Sequence, residues 1–271
     1  MGALEEWREA LASWAIPDEI LGKAPESPWS SPWEVFLRRA EAALSAPPSP
    51  SAQRALEALP DGGSVVDVGS GPGAAGLALA RRAGRLVAVD QSEEMLAVFE
   101  KLAVRAGLDH ETVAGTWPEV ADRVEEADVV VCHHVFYNAM DLAPFVRALS
   151  DHTRQRVVVE MTAEHPRAEE NDLWMRFHGL ERPTRPTADD AERALVELGI
   201  EPRREDWSTQ RAPEGPREEL VERVRVELAL GPEREDELEA ALEDRLIERD
   251  DEWLLGPPER RLVTLWWDVR R

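Results

Sequence analysis

The stretch that most constrains the chain is Val65-Val66-Asp67-Val68-Gly69-Ser70-Gly71-Pro72-Gly73-Ala74-Ala75-Gly76. A β-branched run enters a glycine-rich turn, and an Ala/Leu-rich helical pattern from Ala74 to Arg82 follows at once. A strand, a tight loop and a helix start in this order place backbone N–H groups around a nucleotide-like ligand. Asp90 closes a second apolar run, Leu86-Val87-Ala88-Val89. An acid at the tip of a second strand can accept hydrogen bonds from two ribose hydroxyls.

From Ser64 onward strand and helix patterns alternate. Strands are expected near 64–68, 86–90, 110–114, 128–132 and 156–161, and helices near 74–83, 92–106, 117–123, 141–150 and 187–198. Such alternation predicts a mostly parallel, doubly wound α/β sheet with helices on both faces. Ser92 and Thr187 are expected N-caps, and Gly199 is expected to end its helix. A strand at 201–207 and a last one at 261–269 complete the pattern. The last is expected to run antiparallel, giving seven strands in a Rossmann-like sheet.

Two additions flank this core. Residues 1–55 read as a helical arm or lid, broken by Pro17, Pro25, Pro28 and Pro32. Leu4, Trp7, Leu11 and Trp14 share one helix face. Pro32 is expected to open a helix through Trp33, Phe36 and Leu37, with Trp29, Trp33 or Phe36 roofing a pocket. Residues 212–258 read as a helical insert, with Leu220, Val224, Leu228, Leu238, Leu242 and Leu246 at helical spacing. The domain plan is thus an arm (1–55), a core (56–211), the insert, and a returning core strand (259–271).

Charge limits the partners. The chain has 271 residues and a formal net charge of −23. Such a field opposes nucleic acid and anionic lipid, so neither is an expected partner. The single cysteine, Cys132, allows no internal disulfide, and adjacent Cys132, His133 and His134 are poorly placed to share a metal ion, so none is expected. No basic-then-apolar leader opens the sequence, and a cytoplasmic protein is expected.

Gly71-Pro72-Gly73-Ala74-Ala75-Gly76 is literally G-x-G-x-x-G, which raises a nicotinamide-dependent oxidoreductase. Asp67 to Ser70 intervene where that fingerprint would begin. Tyr137, the lone tyrosine, has Asp141 where a short-chain dehydrogenase would need lysine. The longer stretch Asp67 to Gly73, the run Asp90-Gln91-Ser92-Glu93-Glu94-Met95-Leu96, and the run Ala127 to Asn138 together resemble class I S-adenosylmethionine-dependent methyltransferases. The resemblance covers roughly 60–165. The stretch from Glu160 to Pro183 is similar to uncharacterised actinobacterial members.

The resemblance implies S-adenosylmethionine as cofactor. Gly69, Ser70, Gly71 and Gly73 would let the backbone approach its methionine part, and Asp67 would orient its ammonium group. Asp90 would hold the ribose, with Gln91 and Met95 beside the adenine. The family often carries an acid after the glycine that ends strand three. Here Gly115-Thr116-Trp117 follows, so Thr116 would hydrogen-bond and Trp117 would stack on adenine instead.

Acceptor chemistry is expected at the carboxyl ends of strands four and five. The candidates are His133, His134, Tyr137, Asn138 and Glu160, with His165 and His178 further on. Alternation along an extended segment predicts that His133 and His134 point apart, one toward cofactor and one toward substrate or a helix. His134, Tyr137 and Glu160 are the expected catalytic set, and His133 is expected beside the cofactor. The expected activity is methyl transfer to a compact small molecule, neutral or cationic. The alternatives are a non-catalytic binding module of the same fold and an NAD-dependent oxidoreductase.

Overall fold

The computed structural model describes residues 2–28 and 33–269. The expectations placed on Trp29, Pro32 and the Trp33 side chain lie outside what is described. In chain order the elements are α1 (Ala3–Ala12), α2 (Asp18–Leu21), α3 (Trp33–Ala43), α4 (Pro50–Ala58), β1 (Gly63–Val68), α5 (Ala74–Leu77), β2 (Ala83–Asp90), α6 (Glu93–Arg105), β3 (Asp109–Ala114) and β4 (Ala127–His133). They continue with α7 (Leu142–Asp151), β5 (Thr153–Thr162), α8 (Asn171–His178), α9 (Ala188–Glu197), β6 (Arg203–Gln210), α10 (Arg217–Glu227), α11 (Glu235–Leu242), β7 (Leu246–Arg249), β8 (Glu252–Leu255) and β9 (Glu259–Asp268).

The large sheet has seven strands in the order β3-β2-β1-β4-β5-β9-β6. β1 to β5 pair in parallel, and β9 runs antiparallel to both β5 and β6. This is the mostly parallel, doubly wound fold with one reversed strand. Strand order reverses between β1 and β4, and that is where such sheets open a crevice at their carboxyl edge.

Both faces are covered, as continuous apolar strands require. One face carries Val66, Val68, Val130, Val157 and Val159 against α1, α7 and α9. The other carries Val65, Leu86, Val129, Val131 and Val158 against α3, α4, α5 and α6. Capping decides where the helices begin. Ser92 Oγ accepts from the Met95 N–H at 3.3 Å. Thr187 and Asp190 form a capping box.

A third apolar cluster lies outside the sheet. Ile16 from the arm meets Leu173, Trp174 and Phe177 of α8 and Val221, Val224, Leu238 and Leu242 of the insert. Arg182 fastens it. Its guanidinium lies over the rings of Trp14 and Trp174, 5.3 and 4.8 Å from their centroids, and donates to the Trp14 carbonyl at 2.6 Å. Among the described residues no helix is long and apolar enough to cross a membrane.

Several boundaries differ from the sequence pattern. The helix expected at 74–83 stops at Leu77, and tight bonds such as Leu79 N–H to Gly76 O and Arg82 N–H to Leu79 O wind the rest into turns. The helix expected at 117–123 is a single 3-10 turn, Ala121–Arg123. The insert is not helical throughout. Leu246 opens the hairpin β7–β8, because Asp250 and Asp251 adopt left-handed φ of 54° and 64° and so supply a two-residue hairpin turn. Trp14 lies past the end of α1, where its indole N–H donates to the Arg185 carbonyl at 2.6 Å.

Candidate functional site

The glycine loop is built on alternating left-handed residues: Gly69, Gly71 and Gly73 have φ of 68°, 52° and 93°. Only glycine adopts these without strain. Two of the three are also walled in. A Cβ on Gly69 would stand 2.3 Å from Val135 Cγ2, and one on Gly73 would stand 2.4 Å from Phe99 Cδ2. Gly71 differs, since nothing lies within 4 Å of where its Cβ would be. It faces the open crevice and leaves room for a ligand to reach the backbone.

Two acids set the loop. Asp67 is 1% exposed, and its Oδ2 accepts from the Gly76 N–H at 2.8 Å. Burial, and to a lesser degree the Asp90 charge, pushes its carboxyl up to about 7. Asp90 accepts from Gly71 N–H at 2.7 Å and from Ser92 N–H at 2.9 Å. Each of its oxygens therefore keeps one acceptor site free. Ser70 is buried, and its hydroxyl donates to the Gly71 carbonyl at 3.2 Å. Gln91 and Thr116 are exposed, and Met95 is half-buried. Gly115 has a φ of 146° and holds the end of β3 to Asp90 through its N–H.

Trp117 departs from expectation. Its indole is 6% exposed, donates to the Phe145 carbonyl at 3.3 Å and meets His152 edge-on. Phe145 lies in α7 and His152 caps its end, so the ring is turned into the packing below the crevice. No free face remains for stacking on an adenine.

The histidines also depart from expectation, and usefully. His133 and Glu160 are register partners on β4 and β5, on one face of the sheet. His134 then takes a left-handed φ of 62°, which breaks the alternation. Both rings consequently turn to one carboxylate. His134 Nε2 lies 3.0 Å from Glu160 Oε1, and His133 Nδ1 lies 3.9 Å from Glu160 Oε2.

Glu160 is 7% exposed. Burial would raise its carboxyl, but His133, His134 and the Ser51 hydroxyl outweigh that and hold it down at about 2. His133 is pulled down by burial, and its Nε2 is a buried nitrogen without a hydrogen-bond partner. Behind Glu160, its register partner Thr264 shares a 2.6 Å hydroxyl–hydroxyl bond with Ser51 and accepts from Trp207 Nε1 at 3.0 Å. Sequence reasoning missed Ser51 and Thr264. Thr264, a hydroxyl inside an apolar strand run, was the available signal.

The remaining candidates are engaged elsewhere. Tyr137 donates its hydroxyl to the Thr162 carbonyl at 2.8 Å, stacks on Trp7, and is pushed well above the ordinary phenol range by burial. Asn138 ends a 3-10 turn and is exposed. His165 stacks on Trp14 at 3.7 Å and is pulled down to about 3 by burial, Arg167 and Arg182. His178 Nε2 is paired with the Leu228 carbonyl at 2.7 Å.

A sheet of this order, with a left-handed glycine loop at its reversal point and an acid ending β2, is the fold of class I methyltransferases. The sequence agrees: residues 65–156 match the family model for a methyltransferase domain. Over those residues the chain is similar to methyltransferase domains, a family whose implied cofactor is of the S-adenosylmethionine type.

Among solved structures, the fold is similar to the YcgJ protein from Bacillus subtilis, at 16% identity over 82% of this chain and 98% of that one, with a TM-score of 0.53. It is also similar to a cyclopropane-fatty-acyl-phospholipid synthase-like protein from Lactobacillus casei, at 15% identity over 92% and 97%, with a TM-score of 0.54. At such identities the likeness is one of fold. No curated protein sequence matches the chain.

Proposed function

We propose that the protein transfers the methyl group of S-adenosylmethionine to a small-molecule acceptor above the carboxyl ends of β1, β4 and β5. The observation that carries this reading is the His133–Glu160–His134 cluster at the strand ends beside the glycine loop. The open side of Gly71 suits the cofactor's methionine part. Gly69, Ser70 and Gly73 shape that approach, and Asp67 receives the ammonium. The free acceptor sites of Asp90 take the ribose, and Gln91, Met95, Gly115 and Thr116 border the adenine.

The cofactor, when bound, supplies a methyl group on a sulfonium, and transfer is an in-line displacement. The chain's share is alignment, exclusion of water and custody of a proton. His134 Nε2–H is held by Glu160, so Nδ1 takes the proton from the acceptor's hydroxyl or amine as the new bond forms. Glu160, ionised at any ordinary pH, stabilises the resulting imidazolium. Tyr137 is a positioning residue, because its hydroxyl is spent on Thr162.

A methyl-transfer screen with tritiated cofactor across small metabolites, bulk RNA and bulk protein tests the reading. Labelled small molecules are expected. Label only in RNA or protein would refute the acceptor class. With an active acceptor, His134→Ala and Glu160→Gln are expected to cut turnover about a hundredfold while S-adenosylhomocysteine affinity stays within a few-fold.

We also propose that only part of the arm acts as a lid. Trp7 has no exposed surface and donates to the Ala139 carbonyl at 2.9 Å, so α1 belongs to the core packing. Hydrogen exchange is expected to give α1 equal protection with and without S-adenosylhomocysteine. Residues 18–28 are expected to gain protection on binding. Protection of α1 that rises with ligand would return it to the lid.

A further inference from the structure

Two hydroxyls are buried beside Glu160, in a stretch of sheet that is otherwise apolar. Ser51 and Thr264 have no exposed surface. A hydroxyl so placed is costly unless it is hydrogen-bonded, and an apolar residue of similar size would avoid that cost. Thr264 is the register partner of Glu160 on the antiparallel strand β9. Such partners share a face of the sheet, with Cβ atoms about 4.5–5.5 Å apart.

Ser51 reaches the same spot from the helix packed on that face. Ser49 caps α4 and Pro50 opens it, which puts Ser51 in its first turn. The helix is held in place one turn further on. The Arg54 guanidinium lies 5.0 Å from the centroid of Trp266 on β9 and pairs with Glu205 on β6 at 2.9 Å.

Counting donors fixes the direction of the bonds. Trp207 Nε1–H can only donate, and it lies 3.0 Å from Thr264 Oγ1, so Thr264 accepts there. Ser51 and Thr264 share one hydrogen across 2.6 Å. Glu160 is ionised and can only accept, and the Ser51 hydroxyl acts on it as a donor. Ser51 has a single hydrogen and directs it at Glu160, so the hydrogen between the two hydroxyls is that of Thr264. The chain therefore runs one way, from Trp207 to Thr264 to Ser51 to Glu160. The reverse order would turn a lone pair of Ser51 toward a carboxylate. Donors aligned in series polarise one another, and the bond to the ionised acceptor is the strongest of them. Each group keeps its own proton.

The far side of the carboxylate faces the histidines, with Oε1 3.0 Å from His134 Nε2. The hydroxyl chain thus braces Glu160 from behind. Ser51, Trp207 and Thr264 all lie outside residues 65–156, which carry the family pattern.

We propose that Ser51 is a positioning residue for the transfer, with its hydroxyl aimed by Thr264 and Trp207. It fixes the Glu160 carboxylate where that group receives His134 Nε2–H, and so leaves the Nδ1 lone pair for the acceptor's proton. Having no exposed surface, Ser51 acts only through Glu160. The role rests on the transfer function proposed above.

Two readouts on the full chain test it, and the first needs neither cofactor nor acceptor. With isotope-labelled histidine, the ring nitrogens of His134 report its tautomer by NMR at mildly alkaline pH. The unmodified protein is expected to show Nε2–H alone. Ser51→Ala is expected to show both tautomers and Thr264→Val a smaller admixture. Thr264→Ser, which keeps the hydroxyl, is expected to match the unmodified protein. The second readout is turnover of an acceptor labelled in the screen described above. Ser51→Ala is expected to lower kcat about tenfold with KM within about twofold. In a Glu160→Gln background it is expected to cost nothing further. A packing defect would lower turnover in both backgrounds. A single Nε2–H tautomer in Ser51→Ala, a loss that adds in full to that of Glu160→Gln, or a raised KM with kcat unchanged would overturn the proposal. The contrast of Thr264→Val with Thr264→Ser decides the matter if Ser51→Ala fails to fold, and equal behaviour of those two would overturn it. Failure of the unmodified protein to label any acceptor would refute the transfer reading, while the tautomer readout would still show whether Ser51 holds Glu160.

Discussion

Replacing Asp67 with Asn is expected to make the free protein more stable at pH 8 and to stop it holding its cofactor. Asp67 is 1% exposed, and its folded carboxyl titrates at about 7 against an ordinary 3.8. The folded value lies above the unfolded one. Its contribution is therefore most favourable below about pH 4, declines as pH rises toward 7, and levels off above. Three units correspond to at most about 4 kcal/mol, which the ionised acid costs the fold at pH 8 and the amide does not. Asn also keeps an oxygen for the Gly76 N–H. The gain in melting temperature should shrink steadily as pH falls and vanish near pH 4. On the proposed role of Asp67 toward the ammonium, S-adenosylhomocysteine affinity should drop about a hundredfold by calorimetry. A variant less stable at pH 8, or one that binds undiminished, would contradict this account of the buried acid. In the unmodified protein, binding near pH 7 should release a proton, since the ammonium favours the ionised acid.

The glycine loop offers a sharper contrast. Gly69→Ala should unfold or severely weaken the protein, whereas Gly71→Ala should fold and fail to bind. Both residues sit at positive φ, which costs an alanine about 1–2 kcal/mol. At Gly69 the new methyl would also stand 2.3 Å from Val135 Cγ2, and such overpacking adds about 1–3 kcal/mol. At Gly71 the methyl meets nothing within 4 Å in the protein and projects into the crevice. Thermal unfolding should separate the two variants, and calorimetry should show the second to be folded and inert toward S-adenosylhomocysteine. Undiminished binding by Gly71→Ala would place the cofactor elsewhere.

The core was legible because its signals are local. Val65-Val66, Leu86 to Val89, Val129 to Cys132 and Val157 to Val159 are apolar runs buried on both faces, and each ends at a polar residue. Competing local signals hid the rest. Leu246 continues the helical spacing of Leu238 and Leu242, and only the left-handed Asp250-Asp251 turn shows that a hairpin has begun. Alternation separates His133 from His134 only while the chain stays extended, and His134 leaves that conformation at the decisive residue. Trp117 follows the strand-three glycine as a stacking residue would, but side-chain direction there is set by packing against α7.

The third apolar cluster has a consequence for how the chain is made. Ile16 and its neighbours Ile20 and Leu21 bury their side chains against residues as late as Leu242. At about 5–20 residues per second, those partners leave the ribosome upwards of about ten seconds after the arm. The first segment synthesised is therefore among the last to be packed, and its apolar face is open to chaperones or to other nascent chains meanwhile. A product cut short before α10 would keep that face exposed permanently, even with β1 to β5 in place.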